Sequence, residues 1–171
     1  WGGESWRGSL PLGEETGVGG SELNFGCPQG RSERNMCAAV GQVPEYVEMV
    51  TRWVEQNTRM PTIVKLTPNI TDIMQPAGAA LRGGADAVSL INTIQSVVAV
   101  DLDAMAPMPV VGGLGTHGGY CGPAVKPIAL NLVGETARNA GPPALASSGL
   151  GGLATRPAAP ALLSAGHAPR H

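Results

Sequence analysis

Aromatic residues are scarce in this chain: one Phe, two Tyr and three Trp among 171 positions. A core must therefore rest on Val, Leu, Ile, Met and Ala. Cysteine is scarce too. Cys27, Cys37 and Cys121 are too few and too scattered for a disulfide framework, a zinc site or a four-cysteine iron–sulfur cluster. Charge is low in either sign: 11 Lys and Arg against 13 Asp and Glu leave a net −2, without the basic field of a nucleic-acid binder. No basic stretch followed by an apolar core opens the chain, and no apolar run approaches the roughly 20 residues that span a bilayer. The expectation is a cytoplasmic protein with no nucleic-acid or membrane partner. Trp1 is not preceded by an initiator Met, which reads as the mark of a fragment.

What is present, between about residue 20 and residue 140, is an alternation of strands and helices. ELNF (22–25) alternates polar and apolar residues as a strand does, and Gly26 and Pro28 end it, leaving Cys27 at the exit. Pro44 and Glu45 open PEYVEMVTRWVEQN, where Tyr46, Val47, Val50, Trp53 and Val54 share one helical face. TIVKL (62–66) is a β-branched second strand. TPN leads from it into TDIMQPAGAALRGG, a helix capped by Thr71 and disturbed inside by Pro76. ADAVSLINT (85–93) is apolar nearly throughout, the pattern of a parallel strand covered on both faces. Residues 96–121 hold turn formers without a sustained period and read as a long excursion with a hairpin. PAVKPIALNLVGETARN is a last helix offering Ala124, Ile128, Leu132 and Val133 for burial, and PALASSGLGG (143–152) a fourth strand running into a glycine turn. This alternation predicts βαβ units and a parallel sheet.

Strand tips are where barrels and open α/β sheets keep their chemistry, and the reactive residues collect there. Cys27 could serve as a small buried hydrophobe or as a reactive thiol. Asn24 and the Asn92-Thr93 pair end strands; an amide offers both a donor and an acceptor, although such asparagines also make local turns. Lys65 sits in an apolar strand, where an unpaired ammonium is costly. Gly122 opens a helix, and SGLGG (148–152), standing alone, says no more than an ordinary glycine loop. Cys37, Cys121 and His117 carry no assigned role, and Asp101 with Asp103 reads as a solvated loop pair rather than a metal site.

Taken together, ELNFGCP, SERNMCAAVGQVPE, VKLTPNITDI, RGGADAVSLINT and HGGYCGPAVKPIALN resemble the FMN-binding barrel of the NAD-dependent dihydropyrimidine dehydrogenases. The likeness runs from about Glu14 to Thr155. Dihydroorotate dehydrogenases share the asparagine–cysteine strand end, the strand lysine and the GPAVKPIAL-type segment, while GQVPE and KLTPNITDI favour the dihydropyrimidine branch. The resemblance implies FMN as cofactor and NADH-dependent reduction of uracil or thymine to the 5,6-dihydropyrimidine. It implies Cys27 as the proton donor to C5, a role open to a thiol that is mostly protonated at neutral pH. Asn24 and Asn92 would hold the pyrimidine base, with Thr93 in support. Lys65 would contact the flavin near N1 and O2, and Gly122, Gly149, Gly151 and Gly152 its phosphate. An NADH-oxidising flavoprotein subunit is the implied partner, with iron–sulfur clusters in segments the chain does not match and room for a homo-oligomer.

The loop after the cysteine reads close to G-M-S-E-R-G-M-G in that family. Here Arg31 stands for an apolar residue, and Asn35 and Cys37 stand for glycines. About four central βα units are matched, so the expected fold is α/β, a partial TIM (β/α)8 barrel over 21–155. A divergent N-terminal segment (1–20) and tail (156–171), both poorly ordered, would flank it. Two other readings accompany it: a non-catalytic truncated remnant of that subunit, and a dihydroorotate dehydrogenase-type FMN enzyme.

Overall fold

A computed structural model describes residues 10–26, 38–139, 145–154 and 160. In chain order the elements are α1 (10–15), β1 (Ser21–Asn24), α2 (Ala38–Gly41), α3 (Pro44–Glu55), β2 (Thr62–Lys65), α4 (Met74–Gly83) and β3 (Ala87–Leu90). Six short strands follow: β4 (Ile94–Ser96), β5 (Ala99–Asp101), β6 (Ala106–Met108), β7 (Val110–Val111), β8 (Leu114–Gly115) and β9 (Gly118–Tyr120). A 3-10 turn (Pro123–Val125), α5 (Lys126–Asn139) and β10 (Ala146–Gly149) complete the fold.

β1, β2, β3 and β10 pair in parallel, in that order. Alternation along each strand separates two faces. Leu23, Phe25, Val64, Leu66, Val88 and Leu90 are all buried and lie in register on one face, where the helices cover them. Glu22, Asn24, Lys65 and Ser89 alternate with them and line the other. Strands paired in chain order, with α3 against α4 and α4 against α5, put the connecting helices on a single side. That is a singly wound arc, a partial barrel, and not a doubly wound sheet.

The helices bury narrower stripes than their sequences suggest. α3 buries Val47, Val50, Thr51 and Val54, whereas Tyr46 and Trp53, expected on the same face, sit at the stripe's edge and are 40% and 36% exposed. α4 begins at Met74, so Thr71 does not cap it; Asp72 Oδ1 accepts the Met74 N–H at 2.9 Å instead. Pro76 then falls in the first turn, where a missing N–H costs nothing. The small residues of α4 bring it close to α3: a Cβ on Gly83 would lie 2.6 Å from Thr51 Cβ. In α5 the buried positions are Ala129, Leu132, Val133, Gly134 and Thr136, while Ala124 and Ile128 face solvent.

The long excursion is a set of three antiparallel ribbons, β4–β9, β5–β6 and β7–β8, rather than one hairpin. Asp101 Oδ1 accepts the N–H groups of Asp103 and Ala104 at 2.9 and 3.0 Å, shaping a ribbon tip. Within the first 20 residues, α1 buries Leu10 and is held through Glu14, whose carboxylate accepts from Thr58 Oγ1 (2.6 Å) and the Arg59 N–H (2.8 Å). No helix among the described residues is long and apolar enough to cross a membrane.

Candidate functional site

Three strand exits converge on a hydrogen-bonded group of amides. Asn24, the last residue of β1, accepts through Oδ1 from the Gly26 N–H (3.0 Å) and from Asn92 Nδ2 (2.8 Å). Two donors on one oxygen fix the orientation of that amide and turn the Asn24 NH2 away from both. Asn92 follows β3 and accepts the Thr93 N–H through its own Oδ1 at 2.7 Å. The two asparagines, 68 positions apart in sequence, therefore touch, with Thr93 beside them.

Glycine makes the contact possible. A Cβ on Gly26 would lie 2.5 Å from Asn92 Cβ and 2.6 Å from its Nδ2, closer than any side chain permits. Gly26 thus does more than end the strand: the β1 exit must pass directly over Asn92.

Lys65 lies beside Asn24 in register, on the same polar face. Its Nζ is 3.3 Å from Glu22 Oε1, and Ser89 Oγ donates to Glu22 Oε2 at 2.8 Å, so one carboxylate ties three adjacent strands. The Lys65 side chain keeps 24% of its exposure. Glu22 and Ser89 were not singled out from sequence, although period-two alternation puts both on the face of Lys65.

Asn69, in the TPN turn after β2, was also missed. Its Nδ2 donates to Thr67 Oγ1 (3.0 Å) and to the Thr93 carbonyl (3.1 Å), and its Oδ1 accepts the Gln95 N–H (2.9 Å). Its own carbonyl accepts from Gln42 Nε2 at 2.7 Å.

Glycines gather at the end of the fourth parallel strand. Gly149 ends β10, and Gly151 and Gly152 follow with φ of 117° and 69°, the left-handed region that glycine alone enters freely. A Cβ on Gly152 would lie 3.0 Å from the Lys126 backbone N, so this turn packs against the start of α5. Gly122 precedes that start with φ 90°, and nothing lies within 4 Å of its would-be Cβ. Open space at Gly122 and glycine backbone against Lys126 leave room for an anion, while Pro123 and Pro127 withhold two of the N–H groups a helix start would offer.

Cys27, with the loop through Cys37, lies outside the described residues. Cys121 is a free, exposed thiol and His117 is exposed; neither is within the amide group. A pocket of about 360 Å³ lies elsewhere, on the outer side of α3, lined by Glu45, Glu48, Met49, Arg52, Trp53 and Gln56. It holds none of the strand-end chemistry.

A singly wound parallel arc with helices on one side and polar residues at its strand exits is the architecture of part of a β/α barrel. The dihydroorotate dehydrogenase family model matches residues 15–168, and the chain belongs to that family, whose fold is a TIM barrel and whose enzymes depend on flavin. It is 42% identical over 134 residues to the chloroplastic dihydropyrimidine dehydrogenase (NADP(+)) of Arabidopsis thaliana, covering 78% of this chain and 32% of that protein. It is 40% identical over 152 residues to the NAD-dependent dihydropyrimidine dehydrogenase subunit PreA of Escherichia coli K12 (89% of this chain, 37% of that one). To the catalytic subunit of dihydroorotate dehydrogenase B (NAD(+)) of Alkaliphilus oremlandii it is 44% identical over 147 residues (85% and 44%). The chain thus spans 32% to 44% of the length of these relatives.

Proposed function

We propose that this chain carries the FMN- and pyrimidine-binding half of a cytoplasmic oxidoreductase of pyrimidine metabolism, whose parent reaction is NADH-dependent reduction of uracil or thymine to the 5,6-dihydropyrimidine. The Asn24–Asn92 contact is the observation that supports it most directly. With Asn24 Oδ1 already holding two donors, its NH2 is left to donate, while Asn92 keeps a second lone pair on Oδ1. A donor beside an acceptor suits the alternating C=O and N–H edge of a pyrimidine ring.

Lys65 would hold the flavin's pyrimidine end, its positive charge favouring the reduced anion, and Glu22 with Ser89 keeps that ammonium on the inner face. Gly122, Gly149, Gly151 and Gly152 would accommodate the phosphate. FMN, when bound, supplies the two-electron reduction. Cys27, three residues beyond Asn24 in the sequence, would deliver the proton to C5 as a general acid. An NADH-oxidising subunit and iron–sulfur clusters belong to the whole enzyme, and their electrons would come from outside this chain.

Dihydroorotate oxidation is the second reading, favoured by the 44% identity to a dihydroorotate dehydrogenase subunit. The two substrates differ by a carboxylate, and the KLTPNITDI and GQVPE stretches lean toward the uncharged base.

Titration of the purified chain with FMN, read as quenching of flavin fluorescence, tests the proposal. Micromolar, stoichiometric binding is expected, weakened about tenfold or more in Lys65→Ala, as for loss of one charge-assisted contact. Uracil and orotate are then compared on the loaded chain, with Cys27→Ala as the control for proton delivery. No flavin binding at micromolar concentration would leave the chain a non-catalytic remnant.

A further inference from the structure

Asn69 has no place among the residues that would touch base or flavin, yet its hydrogen bonds tie four segments together. Three side-chain bonds and one carbonyl bond reach the β2 exit (Thr67), the residue beside Asn92 (Thr93), the first ribbon (Gln95) and the residue that follows α2 (Gln42). Thr67 is fully buried, and its Oγ1 also accepts the Asn69 backbone N–H at 3.1 Å, so the amide is anchored from beneath.

The partners matter more than the number. Past Leu90 the chain leaves the parallel sheet, and Asn92 and Thr93 lie between β3 and β4, outside any strand. The Asn92 N–H donates to the Leu66 carbonyl at 3.2 Å, which sets the near side of that bridge. The far side is set by Asn69, which accepts the Gln95 N–H and donates to the Thr93 carbonyl. Both polar ends of one planar amide clamp the backbone two positions apart, which leaves little freedom to the residues between and before them.

We infer that Asn69 is a positioning residue for base recognition: it fixes the Asn92-Thr93 bridge and so sets where the Asn92 amide meets Asn24. The inference rests on the pyrimidine-binding reading for its functional consequence, but not for its geometry. Gln42 extends the same clamp toward α2, which follows the segment bearing Cys27, through the Asn69 carbonyl.

The test uses the full chain, with Asn69→Ala and, as a gentler change, Asn69→Asp, which keeps an acceptor for the Gln95 N–H but loses both donors. Without ligand, the Asn92 side-chain NH2 resonance should shift in both variants, and Gln95 amide exchange should accelerate about tenfold or more in Asn69→Ala alone. With FMN loaded, uracil affinity, read from the flavin absorbance, should fall about tenfold in both, while FMN affinity stays within about twofold of wild type. An unmoved Asn92 resonance in a folded variant would overturn the inference. So would unchanged uracil affinity, or flavin and uracil affinity falling in parallel, which would mark a merely structural role. If wild type binds no FMN, the flavin reading fails by itself and the Asn92 resonance still decides whether Asn69 sets the bridge.

Discussion

A methyl group at position 26 would collide with Asn92, whose Cβ, Cγ and Nδ2 all lie within 2.8 Å of the place it would occupy. Gly26 and Asn92 are both held, the first by donating its N–H to Asn24 and the second by bonds to Asn24 and to the Leu66 carbonyl. Neither can yield without breaking the amide group. Gly26→Ala is therefore expected to cost about 1–3 kcal/mol, the range for overpacking, measured as a lower denaturation midpoint in urea. It should also weaken pyrimidine binding, since the displaced group is the Asn24–Asn92 pair itself. The same scale explains Lys65. Its charge is tolerable on an inner face because Glu22 answers it, and Glu22 is in turn held by Ser89.

At the scale of elements, α3 and α4 are joined by charge as well as by packing. Glu48 of α3 accepts from Arg52 one turn on (2.7 Å) and from Arg82 of α4 (2.8 Å), so one carboxylate serves both helices. The Arg82 hydrogen bond, more than the charge of Arg52, holds the Glu48 carboxyl below its usual range. Glu14 is lowered likewise, first by the Thr58 hydroxyl and then by the Arg59 N–H. Both groups bind protons more weakly folded than unfolded. The stability they contribute is present above the ordinary carboxylate value, about 4.3 for Glu, and is lost as pH falls through the lower folded values. Urea midpoints should accordingly drop between about pH 5 and pH 3, and Glu48→Gln should flatten that slope while lowering the midpoint at pH 7.

For the whole molecule, the division is between a sheet-and-helix core and the ribbons. No core residue falls between Ile91 and Val125. The ribbons instead expose Val97, Val98, Val100, Leu102, Met105, Val111 and Leu114. Ser96 pairs with Gly118, so a two-residue Asn-Gly turn could replace residues 97–117 and close β4 onto β9. The shortened chain should unfold cooperatively at nearly the parent temperature, and should aggregate less, having lost an exposed apolar patch. A broad, non-cooperative melt would show instead that the ribbons belong to the fold.

Much of this was legible in the sequence, for identifiable reasons. The first three parallel strands and the two long helices announce themselves through period, β-branching and proline placement, because those signals act within one element, while β10, Ala-Ser-Ser-Gly, shows only in its place in the alternation. Asn24, Lys65, Asn92, Thr93 and the 149–152 glycines are named through the motifs that resemble the family, although their places at strand ends or within apolar runs draw notice first. Periodicity was weaker at choosing faces: Tyr46, Trp53, Ala124 and Ile128 are apolar on helices, yet they are exposed because neighbouring elements cover a narrower stripe. Proline content could not say that Pro76 lies in a first turn, since that depends on where α4 starts. Contacts between distant positions had no local signature at all. Asn24 on Asn92, Glu22 across Lys65 and Ser89, and Asn69 on Thr93 and Gln95 exist only because parallel pairing in register brings strand ends together. The sequence by itself determined where the parallel strands and the longer helices run; the tertiary structure decided which side chains meet, because register and close approach are properties of pairs of elements and not of any one.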